Sequence, residues 1–182
     1  LSILAEQIKD EGILALLSEI IHSFETSQGK GIPLGNLTSQ LFSNVYLNEL
    51  DQEIKRKWQV KNYVRYADDF LIIDIDREKL EQLLPMISDF LGSYLKLSLH
   101  PNKVSIQRFA KGVDFLGNVI YPHHQILRVK TKKRALKKMK KLKKELAEGL
   151  VPEKHFRQVQ DSYLGLLKYC RGRKIEKEIR RF

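Results

Sequence analysis

The sequence predicts an α+β fold, in which a small antiparallel sheet packs with helices and is followed by a segment that is helical throughout. Two short runs rich in strand-forming residues flank a tight polar break between residues 63 and 73, which predicts a β-hairpin. Apolar residues recur at helical spacing over residues 3–24, 41–54 and 80–91. From Thr131 onward the helical pattern continues without strand signals. A hairpin set among helices and followed by helices alone is typical of an α+β domain with a helical extension.

Composition limits the class of protein. The chain has 182 residues and is 42% hydrophobic, which is enough for one good core or two small ones. No apolar run approaches the roughly 18 residues of a membrane span, and Glu6, Asp10 and Glu11 do not fit a signal peptide. We therefore expect no membrane association and a cytoplasmic location. The single cysteine, Cys170, is expected to be a buried small hydrophobic residue.

The positive charge is concentrated in one segment. Of the 33 Lys and Arg residues, 11 lie between Arg128 and Lys144 with no acidic residue among them. The remaining 22 basic residues equal the 22 acidic ones, so this segment accounts for the whole net charge of +11. Localised positive charge is typical of a site for a polyanion, although such runs are often only solvated surface.

The N-terminal part of the chain is predicted to be helix, loop and helix. The helical pattern that begins at Ile3 ends near Phe24. A glycine-containing loop, Ser27 to Gly35, lets the backbone approach a ligand closely and encloses Ile32-Pro33-Leu34. Thr38 or Ser39 is predicted to cap the next helix, which has apolar positions Leu41, Phe42, Val45, Leu50 and Ile54 and extends to about Trp58.

The hairpin places two adjacent carboxylates at its tip. Tyr66-Ala67-Asp68-Asp69 separates the strand residues Tyr63-Val64 from the run that begins at Phe70. Adjacent carboxylates repel each other, and a cation such as Mg²⁺, which takes one or two carboxylates plus substrate phosphates, would relieve that repulsion. Asp is also a common turn residue, so the hairpin alone leaves a merely solvated turn equally open. Arg65 is expected on the opposite face of its strand from Tyr66, with a structural role.

The segment after the hairpin is predicted to contain a helix and further strands. Asp76 is the expected N-cap of a helix that runs through Leu91, with a kink or break at Pro85. Leu95 to Leu99 alternates like an edge strand, and His100-Pro101-Asn102 turns the chain. Residues 112–121 are predicted to form one strand and 125–129 a second, with His123-His124 in the turn between them. Two histidines without further partners are a poor zinc site, and we assign them no metal.

The C-terminal region is predicted to be three helices. Leu136, Met139, Leu142 and Leu146 form a narrow apolar seam, with Lys on the other faces. Gly149 ends this helix, Pro152 starts the next, which runs to about Cys170, and a basic helix follows Gly172. The shift in composition places a boundary near residue 130.

Two motifs together resemble those of a known enzyme family. Gly31-Ile32-Pro33-Leu34-Gly35-Asn36-Leu37-Thr38-Ser39-Gln40 and the Tyr66-Ala67-Asp68-Asp69 hairpin are similar, in order and separation, to signature motifs of reverse transcriptases. The closest likeness is to bacterial retroelement enzymes of the group II intron and diversity-generating type. The resemblance implies an incomplete palm over residues 1–129 and a helical thumb over 130–182. It also implies that the fingers and a strand with the first catalytic aspartate would precede the chain, which we expect to be a C-terminal fragment.

The resemblance implies roles for particular residues. Asp68 and Asp69 would be catalytic and would ligate the metal, with two Mg²⁺ ions expected in the complete enzyme and Mn²⁺ possible. The other positions to which the resemblance assigns roles are Pro33, Gly35, Gln40, Tyr66 and Lys103 at the nucleotide and template, and Phe115, Leu116 and Gly117 in a primer grip. For the backbone of the nucleic acid, the basic helix offers Lys137, Lys138, Lys141 and Lys144.

The function expected from these features is RNA-directed DNA synthesis by a bacterial retroelement protein. Its partners would be an RNA template, a DNA or RNA primer, deoxynucleoside triphosphates and the upstream fingers and palm segment. We expect the fragment alone to be inactive and able to self-associate. One alternative is a non-catalytic RNA- or DNA-binding module that uses the lysine-rich helix, and another is a polymerase-derived scaffold that has lost catalysis.

Overall fold

The computed structural model describes residues 1–23, 31 and 37–182. The chain divides into two compact units, Leu1–Ile106 and Gln107–Phe182. The described parts combine seven α-helices with two small antiparallel sheets, so the α+β class is confirmed. The break between the compact units lies before the composition shift near residue 130, and the palm and thumb limits themselves stay a prediction.

The first unit begins with helices at the predicted positions. Helix α1 spans Ser2–Gln7 and α2 spans Glu11–His22, with the carboxylate of Asp10 accepting a hydrogen bond from the Ile13 N–H at 2.9 Å. Helix α3 spans Leu37–Gln52 and continues as a π-helical turn, Glu53–Lys57, to the predicted end near Trp58. The predicted cap at Thr38 or Ser39 is wrong, because the helix already includes both residues. Leu41, one of the apolar positions that predicted this helix, is exposed.

The predicted hairpin is present. Strand β1, Asn62–Tyr66, pairs antiparallel with β2, Asp69–Ile73, in a register that opposes Tyr66 to Asp69 and Asn62 to Ile73. Ala67 and Asp68 are the two residues of the connecting turn. The inner face of β1 carries Tyr63 and Arg65, since exposure alternates along the strand.

Helix α4 spans Arg77–Ser93 and is capped as predicted. One Asp76 oxygen accepts hydrogen bonds from the backbone N–H groups of Glu78 and Lys79, at 2.9 and 3.3 Å. The helix passes through Pro85 without breaking into two. Proline in a helix interior costs about 3 kcal/mol, and we attribute the continuity to the buried stripe of Leu83, Ile87 and Leu91.

The core of the first unit lies between α3, α4 and the hairpin. Its buried members are Leu50, Ile54, Val60, Leu83, Ile87, Leu91 and Leu95, with Tyr63, Phe70 and Ile72 of the hairpin packed against them. Burying a side chain of this size contributes roughly 1.5–3 kcal/mol. The core therefore fixes one face of the hairpin against the helices while the tip remains exposed.

The predicted edge strand at Leu95 to Leu99 is absent. The segment is irregular, Lys96 has a φ of 53°, and the Leu97 N–H bonds the carbonyl of Leu91. The hydroxyl of Tyr46 donates to the Leu95 carbonyl at 2.6 Å. These backbone groups are thus satisfied outside a strand ladder, which explains why alternation alone was misleading here.

The second unit contains a three-stranded meander where two strands were predicted. Strand β3 is Val113–Phe115, β4 is Asn118–Tyr121 and β5 is His124–Leu127. Leu116 and Gly117 have φ of 51° and 82°, the left-handed pair that a tight type I′ turn needs, and they divide the predicted first strand into β3 and β4. His123 lies in the turn after β4, whereas His124 belongs to β5.

Three helices complete the second unit. Helix α5 is Val129–Ala147, α6 is Glu153–Leu167 and α7 is Arg173–Arg180. The left-handed Gly149, with φ of 70°, follows α5 as predicted, and Pro152 precedes α6. Met139 and Leu142 of the predicted seam are buried, together with Ala135, while Leu136 and Leu146 are partly buried against the neighbouring clusters. Within the described ranges, no helix has the length and apolar character to span a membrane.

Candidate active site

The tip of the β1–β2 hairpin is a tight two-residue turn. Ala67 has a φ of 52°, the left-handed region that non-glycine residues seldom adopt. A residue held in such a conformation costs on the order of 1–3 kcal/mol and persists only when surrounding contacts determine it. The turn therefore needs support from neighbouring structure.

The two aspartates are accessible at this tip. Asp68 is the second residue of the turn and Asp69 begins β2, and both are exposed. Among the described residues, no ion pair is formed by either carboxylate. Two adjacent carboxylates that lack a protein cation are available to a cation from solution.

Arg65 connects the turn to helix α3. Its Nε and Nη2 bind the two carboxylate oxygens of Asp51, at 2.8 and 2.5 Å. Its Nη1 donates to the Ala67 carbonyl at 2.8 Å and to Oδ1 of Asn44 at 3.1 Å. The hydroxyl of Tyr63 donates to the same Asp51 carboxylate at 2.6 Å. We call Asp51, Tyr63 and Arg65 the Arg65 network.

The electrostatics of the Arg65 network are those of a satisfied ion pair. Burial alone would raise the pKa of Asp51, but the hydrogen bonds from Arg65 and Tyr63 and the charge of Arg65 outweigh it, and the pKa is lowered. The hydrogen bond to Asp51 raises the pKa of Arg65. Burial, followed by the bond to Asp51, raises the pKa of Tyr63. Tyr63 therefore remains a neutral donor, and the charges of Arg65 and Asp51 compensate each other.

The hairpin carboxylates fit part of a magnesium site. Hard oxygen donors in small number suit Mg²⁺, which keeps several waters and takes its other ligands from substrate phosphates. In the part of the chain that the structure describes, no group of three or more His, Cys, Asp or Glu side chains is placed to hold a metal. Asp68 and Asp69 thus supply two carboxylate ligands at the exposed tip of the hairpin.

The other predicted nucleotide and template residues are only partly placed. Pro33 and Gly35 lie outside the described residues. Gln40 is exposed in the first turns of α3, and Tyr66 is 64% exposed at the end of β1. Lys103 is exposed in a turn, where its backbone N–H donates to the carbonyl of His100. Between described residues, no hydrogen bond or ion pair joins Lys103 to the hairpin.

The predicted primer grip forms the β3–β4 turn of the second unit. Phe115 ends β3, and Leu116 and Gly117 are the turn residues. Leu116 is 47% exposed, while the Gly117 carbonyl accepts a hydrogen bond from the Arg128 N–H at 3.0 Å. Arg128 also forms an ion pair with Asp114 of β3. The turn is thereby tied to the start of α5.

Helix α5 presents lysines to solvent on the face away from its buried seam. Lys130, Lys133, Lys137, Lys141 and Lys144 are exposed and spaced by three or four residues, which places them on one face. Lys138 is exposed on the flank of this face. Lys141 and Lys144 have only long contacts to glutamates one turn on, at 3.4 and 3.5 Å. We call this face the α5 lysine stripe.

The remaining residues singled out by the sequence have structural partners. The Tyr121 and His124 rings stack with centroids 4.7 Å apart. The Cys170 thiol is half-buried and donates to the side chain of Asn118, and burial raises the pKa of the thiol. A thiol with a raised pKa is a poor nucleophile.

The sequence reasoning missed Asp51 and underrated Arg65. The expected orientation of Arg65, opposite Tyr66, agrees with the alternating exposure of β1. A usable signal was present, because Asn44 and Asp51 are seven residues apart, two helical turns, on one face of α3. Polar residues in a row on one face of a helix, followed by a strand with an inward-facing arginine, suggest a bond between the two elements.

A hairpin with an exposed aspartate pair is what the resemblance to reverse transcriptases implies at this position. The family model described as "Reverse transcriptase (RNA-dependent DNA polymerase)" matches residues 6–120, and the chain belongs to this family. The match includes α2, α3, the aspartate hairpin and the β3–β4 turn.

One curated relative is a bacterial protein. The chain is 28% identical to "Protein YkfC" of Escherichia coli (strain K12), over 62% of this chain and 39% of that protein. The matched part therefore spans about two fifths of the relative's length.

Proposed function

We propose that the protein containing this chain is an RNA-directed DNA polymerase of a bacterial retroelement, acting by two-metal nucleotidyl transfer. The observation that carries the proposal is the exposed Asp68-Asp69 pair, free of protein cations among the described residues, on a supported turn within the span matched by the family. Adjacent carboxylates with neither a cation nor a structural bond have little value for stability. Their placement is explained by ligation of Mg²⁺.

The proposed mechanism gives roles to a few residues of the hairpin, of α3 and of the β3–β4 turn. Asp68 and Asp69 would hold Mg²⁺, which when bound supplies charge stabilisation for the attacking 3′ oxygen and the leaving pyrophosphate. Tyr66, exposed beside them, would support the primer terminus, and Gln40 would orient the nucleotide or template. Residues 115–117 would hold the primer strand. These roles rest on the family, and on the exposure of Gln40, Tyr66, the two aspartates and Leu116.

Nucleic-acid binding is assigned to the α5 lysine stripe. Its lysines lie on the face away from the packed seam, so they can approach phosphates without disturbing the core. Lysine on a phosphate reads charge and not base identity, so the sequence preference of this contact is expected to be weak. The duplex of template and primer is the proposed ligand.

The test is the Asp68→Asn variant in a longer protein that includes this chain. We expect Mg²⁺-dependent primer extension on an RNA template to be lost while the thermal unfolding midpoint stays unchanged, since Asn keeps the size of an exposed side chain. Asp89→Asn makes the same chemical change at an exposed position of α4 and is expected to retain activity. Extension by Asp68→Asn at the wild-type rate would refute the catalytic assignment.

The non-catalytic binding module remains the alternative supported by a specific observation, the lysine stripe. A binding module needs no Mg²⁺, so nucleotide binding measured with and without Mg²⁺ separates the two functions. Dependence on Mg²⁺ that disappears in Asp68→Asn supports the polymerase. Duplex binding that changes neither on removal of Mg²⁺ nor in Asp68→Asn supports the binding module.

A further inference from the structure

The Arg65 network contacts the backbone of the turn that carries the aspartates. The Ala67 carbonyl belongs to the peptide group that joins Ala67 to Asp68, and it accepts the Arg65 Nη1 bond at 2.8 Å. The orientation of this peptide plane sets where the Cα of Asp68 lies and which way its side chain leaves the turn. A donor that holds the carbonyl therefore also restricts the position of the carboxylate.

The guanidinium is itself held on its other edge. Nε and Nη2 bind both oxygens of Asp51, which belongs to α3, and the Arg65 side chain is only 10% exposed. Tyr63 donates to the same carboxylate, so the acceptor is also fixed. A rigid path of hydrogen bonds thus runs from α3 through Asp51 and Arg65 to the turn.

Charge compensation matters as much as geometry. An unpaired guanidinium beside the turn would attract the carboxylates of Asp68 and Asp69 and oppose the binding of a cation there. Asp51 neutralises Arg65 and occupies two of its three nitrogens. Arg65 can therefore bind the turn backbone while the two tip carboxylates form no ion pair with any described residue.

We propose that Arg65, held by Asp51, is a positioning residue that fixes the Ala67–Asp68 peptide in the conformation required for Asp68 and Asp69 to bind a divalent cation. The proposal deepens the proposed function and rests on it for the identity of the metal site. It predicts that metal affinity at the tip depends on a residue that does not touch the metal.

The variants that test this proposal are chosen from the planar shape of the Arg65 guanidinium. Arg65→Lys keeps the charge, but an ammonium cannot reproduce the planar fork that binds Asp51 with one edge and the Ala67 carbonyl with the other. Arg77→Lys is the matched control, because Arg77 also pairs with a carboxylate, Glu81 at 2.7 Å, in the same unit. Asp68→Asn removes a proposed ligand and serves as the reference for lost binding.

The first readout is independent of catalysis. Mn²⁺ is titrated into the isotope-labelled 182-residue chain, and paramagnetic broadening of the Asp68 and Asp69 amide signals reports binding at the tip. We expect broadening in wild type and Arg77→Lys, and a Mn²⁺ dissociation constant raised roughly 10-fold in Arg65→Lys, the low end of the effect of supporting residues at metal sites. Equal constants in Arg65→Lys and wild type would overturn the proposal, as would the absence of Mn²⁺ binding at the tip of wild type.

The second readout is the Mg²⁺ concentration that gives half-maximal primer extension in the longer protein. We expect it to rise in Arg65→Lys, whereas a loss of stability alone would lower the active fraction without moving it. If wild type does not extend a primer but its Mn²⁺ affinity falls in Arg65→Lys, the polymerase assignment fails and the positioning role stands. If Asp68→Asn abolishes extension but Arg65→Lys leaves the Mg²⁺ dependence unchanged, the function stands and the positioning role fails.

Discussion

At the scale of single residues, the hairpin shows how a strained position is held by its neighbours. Ala67 adopts a φ of 52° without glycine's freedom, and its carbonyl is bound by Arg65. Arg65 is in turn bound by Asp51 on the adjacent helix. Ala67 depends on Arg65 for its conformation, and Arg65 depends on Asp51. The contributions of these residues to stability are therefore not expected to be additive.

The lowered pKa of Asp51 predicts a dependence of stability on pH. A carboxylate with a lowered folded-state pKa stabilises the fold above its unfolded-state pKa, near 4, and loses that contribution as the pH falls through the folded-state value. Asp51→Asn is expected to reduce the free energy of unfolding by about 1.5–3 kcal/mol at pH 7, the range for hydrogen bonds to charged groups. Urea unfolding of both proteins between pH 7 and pH 3 checks this. A difference that stays constant down to pH 3 would contradict the assignment.

Gly112 is predicted to be required for the packing of β4. An added Cβ would lie 2.7 Å from side-chain atoms of both Tyr121 and Val119, and the φ of 83° is unfavourable for alanine. Gly112→Ala should lower the free energy of unfolding by more than about 1 kcal/mol, the scale of the left-handed backbone penalty alone. Gly92→Ala in α4, where nothing lies within 4 Å of the new Cβ, is the control and should stabilise by roughly 0.4–1 kcal/mol. Equal melting temperatures for the two variants would refute this reading.

At the scale of elements, α5 divides its surface between packing and charge. Ala135, Met139 and Leu142 are buried on one face, and the lysine stripe occupies the opposite one. The long contacts to Glu145 and Glu148 are exposed i,i+4 pairs, which contribute about 0.3–0.5 kcal/mol each and are screened by salt. The lysines are therefore available to an external polyanion.

The α5 lysine stripe predicts a salt-dependent affinity for duplex. About half of the 11 basic residues between Arg128 and Lys144 can face phosphate at once, roughly 4–6 contacts. Log K should then fall with log salt at a slope of about −4 to −5, or roughly 300- to 1,000-fold between 50 and 200 mM. Replacing Lys137, Lys138, Lys141 and Lys144 by Gln should flatten the slope by as many units as contacts are lost.

A variant of equal charge separates local contact from net charge. Lys9, Lys57, Lys61 and Lys96 are exposed lysines of the first unit, and replacing these four by Gln removes the same charge elsewhere. We expect this protein to keep a slope close to that of wild type in the same titration. If plots of log K against log salt have the same slope for all three proteins, α5 does not contact the nucleic acid.

At the scale of the whole molecule, the chain consists of two units with separate cores. One core lies among α3, α4 and the hairpin, and the others among α5, α6, α7 and β5. The aspartate pair belongs to the first unit and the lysine stripe to the second. The proposed chemistry and the proposed duplex contact are thus borne by different parts of the chain.

We predict that the 182 residues alone do not extend a primer. The hairpin provides two carboxylates, and the described residues contain no cluster of three acidic side chains that could hold a metal. The family resemblance assigns a further aspartate to a segment upstream of these motifs. Primer extension by the purified chain, compared with a longer protein that includes that segment, checks this, and synthesis by the chain alone would show that the catalytic set is misplaced.

The two-stranded sheet of the β1–β2 hairpin predicts that the chain self-associates. Unpaired strand edges are templates for pairing with another chain, and the described hairpin forms a sheet of two strands. Light scattering at increasing concentration should detect a mass above 21.3 kDa for the 182-residue chain. A mass that stays monomeric across the range would remove this expectation.

Elements that depend on local patterns could be predicted from the sequence. The hairpin, the Asp76 cap, the seam of α5 and the helices around Gly149 and Gly172 were predicted correctly, because spacing, capping and turn chemistry act over a few residues. The paired motifs also identified the family. Asp68 and Asp69 were placed at the hairpin tip by the same local reasoning.

Where a local pattern was compatible with more than one structure, packing between distant parts of the chain selected the outcome. Alternation in Leu95 to Leu99 predicted a strand, but Tyr46 and Leu91 satisfy its backbone groups in another way. Pro85 left a kink and a break into two helices open, and the helix does not break while three of its side chains are buried. The bond that Arg65 donates to Asp51 joins residues 14 positions apart in the chain, on different elements. Such a pairing depends on how a helix and a strand pack, which no local pattern contains.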